Sequence, residues 1–333
     1  MSLFIKILGR TGLRVFSVGF GTGGLGTSSN QDLFDIYVSK KAYVMSVGLG
    51  SDVLASGLEA MINLLKSRGY LEGDARIIVD TAQLYGGRMI ECIVGLVLRE
   101  RAEFKPWVLA TTKVGQTLFS GVNYDLSVVL RELDHSQSIM GIDRFEIIYL
   151  HDPMTVEDAV VYRLRDELEK RSVADFIGLA ANNPATTEKL LASGVFPVAV
   201  VPEACSLINS RIENKIIPLA AEHNIGLVAA TVIERGLLTD NPAPGEMIGR
   251  TYTQDCIDYI KDLRDMCLAR GGSLSGAALQ WPTMTYPEVS CSIFGPQTKA
   301  QVHEAISSLD LVSTELMREI QKKATHFEGQ RYF

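Results

Sequence analysis

Four side chains in this sequence of 333 residues have the chemistry to move a proton to or from a carbonyl oxygen: Asp80, Tyr85, Lys113 and His151. Three of them close aliphatic runs. Ile77-Ile78-Val79 leads to Asp80, Ala110-Thr111-Thr112 to Lys113, and Ile147-Ile148-Tyr149-Leu150 to His151. Such runs favour extended backbone. Tyr85 stands five residues past Asp80, and Gly86-Gly87 then opens the amphipathic run 88–100, so this stretch reads as strand, turn, helix. A phenol ionises near pH ~10, too high for good proton transfer at neutrality. An ammonium beside it favours the phenolate and lowers that value, and a buried carboxylate keeps the lysine charged and aimed. A histidine next to the phenol can hydrogen-bond a carbonyl or hydroxyl oxygen. The set suits proton transfer while another group moves hydride.

These residues meet only if the strand ends converge. Taken singly each has a blander reading: Asp80 as a cap, Lys113 as a strand end reaching water, His151 as a strand terminator, Tyr85 as an aromatic on a rim. Strand candidates recur at 15–21, 76–81, 107–113, 145–151, 176–181, 198–204, 226–231 and 290–295. Helical patterns lie between them near 51–66, 88–100, 125–140, 156–171, 186–193, 212–223 and 254–283. The strands are continuous Ile/Val/Leu/Ala runs, as when both faces are buried. Eight β-α units without a linker predict an α/β fold, a (β/α)8 TIM barrel, as one domain over 1–333. Its active-site residues would stand at the C-terminal mouth of the strands.

The turn residues Gly9-Arg10-Thr11-Gly12 between Ile5-Lys6-Ile7-Leu8 and Leu13-Arg14-Val15 predict an N-terminal β-hairpin. An amphipathic run at about 313–323 predicts an extra C-terminal helix outside the barrel. The stretch 27–50 has no clear period and reads as an irregular insertion, after which Ser51-Asp52 would cap a helix to Lys66. The segment 239–253 carries three Pro/Gly pairings and is a candidate lid.

The net charge of −7 and the lack of a Lys/Arg-rich patch argue against nucleic acid as a partner. Five cysteines, at 92, 205, 256, 267 and 291, are scattered and odd in number, which suits free, mostly buried thiols in a reducing compartment. Lys6 and Arg10 interrupt the opening apolar residues, and no run approaches the roughly 18–20 needed to span a bilayer. A soluble, cytoplasmic protein without a membrane contact is expected. The five histidines show no ligand spacing, so no metal is expected. Gly19-Phe20-Gly21-Thr22-Gly23-Gly24 fits G-x-G-x-x-G, but no helix opens directly after it and no strand ending in an acid follows about 20 residues on. These glycines instead would let backbone approach a ligand at the mouth.

Asp80-Thr81-Ala82 with Tyr85-Gly86, then Thr112-Lys113-Val114-Gly115, then Leu150-His151-Asp152-Pro153 resemble the catalytic tetrad motifs of the aldo-keto reductase superfamily, in order. The resemblance runs from Leu8-Gly9 to the last helix. It implies a barrel that uses NAD or NADP, with Tyr85 as general acid/base, Lys113 and Asp80 tuning it, and His151 orienting the substrate oxygen. Leu8-Gly9-Arg10-Thr11-Gly12-Leu13, the run 19–24, Ile177-Gly178-Leu179 with Asn182, and Gly236-Leu237-Leu238 are similar to the aldose 1-dehydrogenase group. That group comprises L-fucose, D-threo-aldose and L-galactose dehydrogenases, and pyridoxal 4-dehydrogenases are similar to it.

The same resemblance implies cofactor contacts at Gly21, Thr22, Asp80, Asn182, Thr231, Val232, Ile233, Gly236, Leu237, Gly295, Pro296, Gln297 and Gln301. The chain departs from the family at three places. Ala230 holds the position where an aromatic commonly stacks on nicotinamide, and the residues 27–50 and 70–75 are additions. Gly295, Gln297 and Gln301 stand where NADP-specific members carry Lys or Arg. Each lost Arg–phosphate pair forgoes roughly 1.5–3 kcal/mol. NAD is therefore the expected cofactor, with Lys299 the one residue able to rescue NADP. The implied reaction is hydride transfer between nicotinamide and a small molecule, an aldose lactol or an aldehyde. Two alternatives carry the same motifs: a broad NADP-dependent aldehyde reductase, and a nucleotide-sensing regulatory subunit like the potassium-channel β-subunits. Oligomeric state is not legible in the chain.

Overall fold

The computed structural model describes residues 4–25, 40–117, 121–242 and 252–327. The chain opens with β1 (Ile5–Ile7) paired antiparallel to β2 (Arg14–Phe16), the expected hairpin. Its turn presses on the barrel wall so closely that a Cβ on Gly9 would fall 2.0 Å from the Gly226 nitrogen. Leu8 and Val15 are fully buried and join the barrel-interior cluster of Ile78, Leu109, Ile147, Tyr149 and Val228. The hairpin thus closes the N-terminal end of the barrel. The expected strand 15–21 is accordingly two elements: its first residues belong to β2, and after Ser17 the chain turns into β3 (Val18–Gly21).

The elements that follow are α1 (Lys40–Ser67), β4 (Ile77–Asp80), α2 (Met89–Glu100), β5 (Val108–Val114), the small pair β6 (Gln116–Thr117) and β7 (Gly121–Val122), and α3 (Leu126–Met140). Next come β8 (Phe145–His151), α4 (Asp158–Lys170), β9 (Ala174–Ala180), α5 (Pro184–Leu191), β10 (Val198–Pro202), α6 (Ile216–His223) and β11 (Gly226–Ala230). The chain ends through α7 (Gln254–Ala269), α8 (Leu274–Thr285), β12 (Val289–Phe294), α9 (Lys299–Ser308) and α10 (Thr314–Lys323). Eight parallel strands, β3, β4, β5, β8, β9, β10, β11 and β12, close into a barrel, with Ile293 of β12 registered against Gly19 of β3. This is the predicted (β/α)8 architecture.

Several boundaries differ from the sequence reading. The helix expected from Ser51 reaches back to Lys40, with Ser51 buried inside it rather than capping it. Tyr43, Val47, Leu54, Leu58, Met61 and Leu65 extend one apolar stripe onto the core, and that packing overrides the low helix propensity of Gly48 and Gly50. The rest of the insertion, 27–39, lies outside the described residues. The helix expected over 254–283 breaks in two at Gly271, whose φ is +65°. A Cβ on the next residue, Gly272, would lie 2.3 Å from Leu316 Cδ2, so α10 docks into the break. An unpredicted helix, α9, begins after Thr298, whose hydroxyl accepts from the Gln301 nitrogen, and packs on α1 through Val302, Ala305 and Ile306. Of the candidate lid, 243–251 lie outside the described residues.

The extra C-terminal helix is present, capped by Ser313 as its hydroxyl accepts from the Leu316 nitrogen. Leu316, Met317 and Ile320 pack with Ile260, Leu263, Leu274 and Trp281 in a cluster outside the barrel. All five cysteines are free thiols, four of them buried. Among the described residues no helix is long and apolar enough to cross a membrane, and no His/Cys/Asp/Glu group is spaced to hold a metal.

Candidate active site

Asp80 ends β4, Lys113 stands one residue before the end of β5, and His151 ends β8, so strand register brings three of the four residues to one mouth. Tyr85 opens the short 3-10 turn Tyr85–Arg88 that joins β4 to α2. The Lys113 ammonium uses its three donors on Asp80 Oδ2 at 2.5 Å, the Thr81 carbonyl at 2.9 Å and the Tyr85 hydroxyl at 3.1 Å. The second Asp80 oxygen accepts from the Thr111 hydroxyl at 3.1 Å. The Tyr85 and His151 rings meet edge to face, centroids 6.0 Å apart. Asp80, Lys113 and His151 are buried, whereas Tyr85 keeps part of its surface accessible.

Burial pushes the Lys113 ammonium down, but Asp80 and Tyr85 more than offset it, and the lysine is held above its ordinary pKa. Tyr85 behaves differently from the sequence expectation. Burial raises its pKa by more than the Lys113 charge lowers it, and Asp80 and Asp152 push the same way as burial. The phenol is therefore a protonated donor at rest. Burial, with the Lys113 charge behind it, depresses His151 to about 3, so its imidazole is neutral at physiological pH. Its Nδ1 is buried without a partner among the described residues.

In the sequence Asp152 figures only within Leu150-His151-Asp152-Pro153, where an Asp-Pro pair makes a turn. Asp152 does take a left-handed φ of +44° at the head of such a turn, but its carboxylate also has a task. Oδ1 accepts from the Asn182 backbone at 2.7 Å and Oδ2 from the Asn182 side-chain amide at 2.7 Å. Tyr124, likewise unflagged, donates from its buried hydroxyl to the His151 carbonyl at 2.8 Å. A buried polar network beneath Tyr85, built on Arg88 and Glu91, was missed as well. Its one sequence signal is the i, i+3 spacing of an Arg–Glu pair opening a helix.

The residues assigned to cofactor contact divide into two groups. Thr22 is fully buried and its hydroxyl donates to the Asp80 carbonyl at 2.8 Å, so its side chain ties strand ends together. Val232 and Leu237 are buried among core side chains, and Ile233 packs against the same cores, so these side chains serve packing. The others lie at the mouth. Thr231 and Gly236 take left-handed backbone after β11, at φ +62° and +98°. After β12, Gly295, Gln297 and Gln301 are exposed while Pro296 is buried. Gln301 Oε1 accepts from the Gln297 nitrogen at 2.7 Å, and Lys299 is paired with Asp52 at 3.3 Å.

These features suit a dinucleotide. A Cβ on Gly295 would approach the Gly21 carbonyl to 3.1 Å and one on Gly24 the Gln297 amide to 3.3 Å, so a side chain at either position would press its neighbour aside by a few tenths of an ångström. Among the described residues no donor meets the Asn182 side-chain oxygen, which leaves it as an acceptor beyond the bonds to Asp152. Ala230, at the end of β11, offers no ring for stacking.

Comparison with known proteins extends this picture. The sequence model for the aldo/keto reductase family matches residues 58–324. Pyridoxal 4-dehydrogenase from Microbacterium luteolum is 24% identical, the match covering 90% of this chain and 91% of that one. A putative voltage-gated potassium channel subunit beta from Schizosaccharomyces pombe is 23% identical over 96% of this chain and 91% of its own length. L-galactose dehydrogenase from Arabidopsis thaliana is 22% identical over 92% and 88%. In three dimensions the chain superposes on the holo form of an aldo-keto reductase from Bacillus halodurans with a TM-score of 0.71, 20% identity and 98% of each chain covered.

Proposed function

We propose that this chain, which belongs to the aldo/keto reductase family, is a nicotinamide-dependent oxidoreductase acting on an aldose lactol or an aldehyde, with Tyr85 as its general acid/base. The observation that carries this reading is the Lys113 ammonium, which bridges Asp80 and the Tyr85 hydroxyl at the strand ends. In the reducing direction Tyr85 gives its proton to the substrate oxygen as negative charge grows there. Lys113 then stabilises the phenolate left behind, and Asp80 keeps Lys113 charged. Neutral His151 supplies one N–H to the same oxygen and fixes its position between the two rings. In the oxidising direction the phenolate takes the hydroxyl proton back. The nicotinamide, when bound, supplies or accepts the hydride.

Asn182, Gly236, Gly295, Gln297 and Gln301 are the residues that would hold the cofactor. NAD is favoured over NADP because the loop after β12 presents Gly295, Gln297 and Gln301 where basic residues would grip a 2′-phosphate. Pyridoxal and the aldoses share a chemistry that narrows the substrate class: each is an aldehyde able to close on its own hydroxyl to a cyclic hemiacetal. Oxidising that form removes a hydride from carbon and a proton from oxygen and leaves a lactone. Four buried free thiols support a reducing compartment, the cytoplasm in the first instance.

The match to a channel β-subunit relative supports a second reading, a nucleotide-sensing subunit in which the same fold binds cofactor without fast turnover. The test is nicotinamide absorbance on mixing the protein with NAD or NADP and L-fucose, L-galactose, D-arabinose or pyridoxal. Reduction of NAD by one of these supports the dehydrogenase. Tight cofactor binding without turnover on any of them overturns it in favour of the sensor.

A further inference from the structure

Tyr85 opens a turn of strained backbone. The turn from Tyr85 to Arg88 has three consecutive left-handed residues, Gly86 and Gly87 at φ +50° and Arg88 at +76°. Arg88 is the one of the three with a side chain, and for it that conformation is strained. Two backbone bonds here, Tyr85 N to the Ala82 carbonyl and Gly87 N to the Leu84 carbonyl, are internal to the turn. Besides the Tyr85 hydroxyl itself, a side chain on either side of Tyr85 ties the turn to the barrel. Gln83 and Arg88 both donate to the Ser136 hydroxyl of α3, at 3.1 and 3.0 Å, and that hydroxyl in turn donates to the Glu132 carbonyl.

Arg88 reaches further. Its Nη1 donates to Glu91 Oε2 at 2.9 Å, and its Nη2 donates to the Glu132 carbonyl and pairs with the Glu132 carboxylate. Glu91 is wholly buried, and its other oxygen, Oε1, accepts from the Thr112 hydroxyl at 2.8 Å. Thr112 is the residue before Lys113. Three side chains, Arg88, Glu91 and Thr112, therefore link the turn bearing Tyr85 to the strand bearing Lys113. This path runs parallel to the direct 3.1 Å contact between the two. A buried carboxylate is tolerated only with such partners, and a guanidinium fork is the group able to serve Glu91, Ser136 and Glu132 together.

From this geometry we propose that Arg88 and Glu91 are a positioning pair that sets the distance between Tyr85 and Lys113. The inference rests on the reading of Tyr85 as general acid/base. Substitutions that cut the path without emptying the site should slow the proton-transfer step and leave ligand binding intact. They should also alter the ring environment of Tyr85 in the resting protein.

The experiment uses Arg88→Lys and Thr112→Val in the full chain, with thermal melting to confirm folding. The first keeps the charge but loses the fork; the second exchanges one hydroxyl for a methyl and carries the test should Arg88→Lys not fold. kcat is expected to fall tenfold to about a hundredfold, the scale of a misplaced reacting group. KM for the sugar and the NAD dissociation constant, read from protein fluorescence, should stay within about twofold, because the groups altered touch neither ligand. In protein labelled with 13C at tyrosine Cζ, the Tyr85 signal, identified by its loss in Tyr85→Phe, should shift in both variants while those of the other tyrosines hold. Folded variants with an unmoved Tyr85 signal overturn the proposal, and so does a fall in kcat that only tracks a fall in melting temperature. If the wild type turns over no substrate, the dehydrogenase reading fails, and the Tyr85 signal still decides the role of the pair.

Discussion

The Lys113 ammonium lies 3.1 Å from the Tyr85 hydroxyl, and burial nevertheless holds that phenol above its ordinary pKa. Proximity to the cation does not release the proton; it lowers the cost of releasing it when an acceptor arrives. Tyr85→Phe removes the proton and little else, since the ring remains. The expected loss in kcat is about 10²- to 10⁴-fold, the usual range for a positioned acid/base. NAD binding measured by fluorescence and the melting temperature should be unchanged.

The pH dependence follows from the same direction. A phenol held above its ordinary pKa is the correct acid throughout the neutral range. It becomes a base only in alkaline solution. Carbonyl reduction should therefore be flat near neutrality and fall in alkali, while oxidation of the hydroxyl should climb as pH rises. Initial rates in both directions across pH check this, and an oxidation rate that declines above neutrality would count against Tyr85 as the base.

His151 provides a stability test. Its folded pKa of about 3 lies below the ordinary histidine value of 6.5, so the fold excludes its charged form. A depressed group contributes stability that is complete above the unfolded pKa and is lost as pH falls toward the folded one. The urea midpoint should therefore decline as pH is lowered from 6.5 toward 3. His151→Gln, which carries no titratable ring, should flatten that decline while also lowering kcat.

Lys113 and Asp80 are buried together at 2.5 Å. Lys113→Met leaves the carboxylate unpaired and should cost about 3–5 kcal/mol in urea unfolding. Adding Asp80→Leu should recover much of that stability and none of the activity. A double variant as unstable as Lys113→Met would show that the loss comes from packing rather than from the stranded charge.

Cofactor choice is testable at the loop after β12. Lys299 is paired with Asp52 across the surface, so Lys299→Ala should leave the KM for NAD within about twofold, in keeping with the small worth of exposed pairs. Gln301→Arg introduces a guanidinium near the site where a 2′-phosphate would sit. It should improve NADP affinity tenfold or more, given roughly 1.5–3 kcal/mol for a charge-assisted bond. Titration of both nucleotides by fluorescence decides it.

Local chemistry made much of the barrel readable. A parallel strand buried on both faces must be a continuous aliphatic run, and β8 matches its predicted span of 145–151 residue for residue. The polar residues ending those runs stand out against them, which is why Asp80, Lys113 and His151 are visible in the chain alone. Where the run serves two elements, as at Val15 to Gly21, composition could not reveal that Ser17 divides hairpin from barrel. The continuation of α1 N-terminal of Ser51 and the break at Gly271 were set by what each helix packs against, which lies far away in sequence.

The site divides along the same line. Residue types and their order specify a carboxylate, a phenol, an ammonium and an imidazole at successive strand ends. The direction of the Tyr85 shift belonged to the fold, because the depth of burial that outweighs Lys113 is a sum over many distant atoms. So did the partners of Asp152 and Arg88. Asp152 meets Asn182 across 30 positions, and Glu91 meets Thr112 across 21. Sequence determined which groups are present and on which elements. Only the closure of eight strands on one axis decided which of them touch, how dry they are, and therefore what charge each one carries.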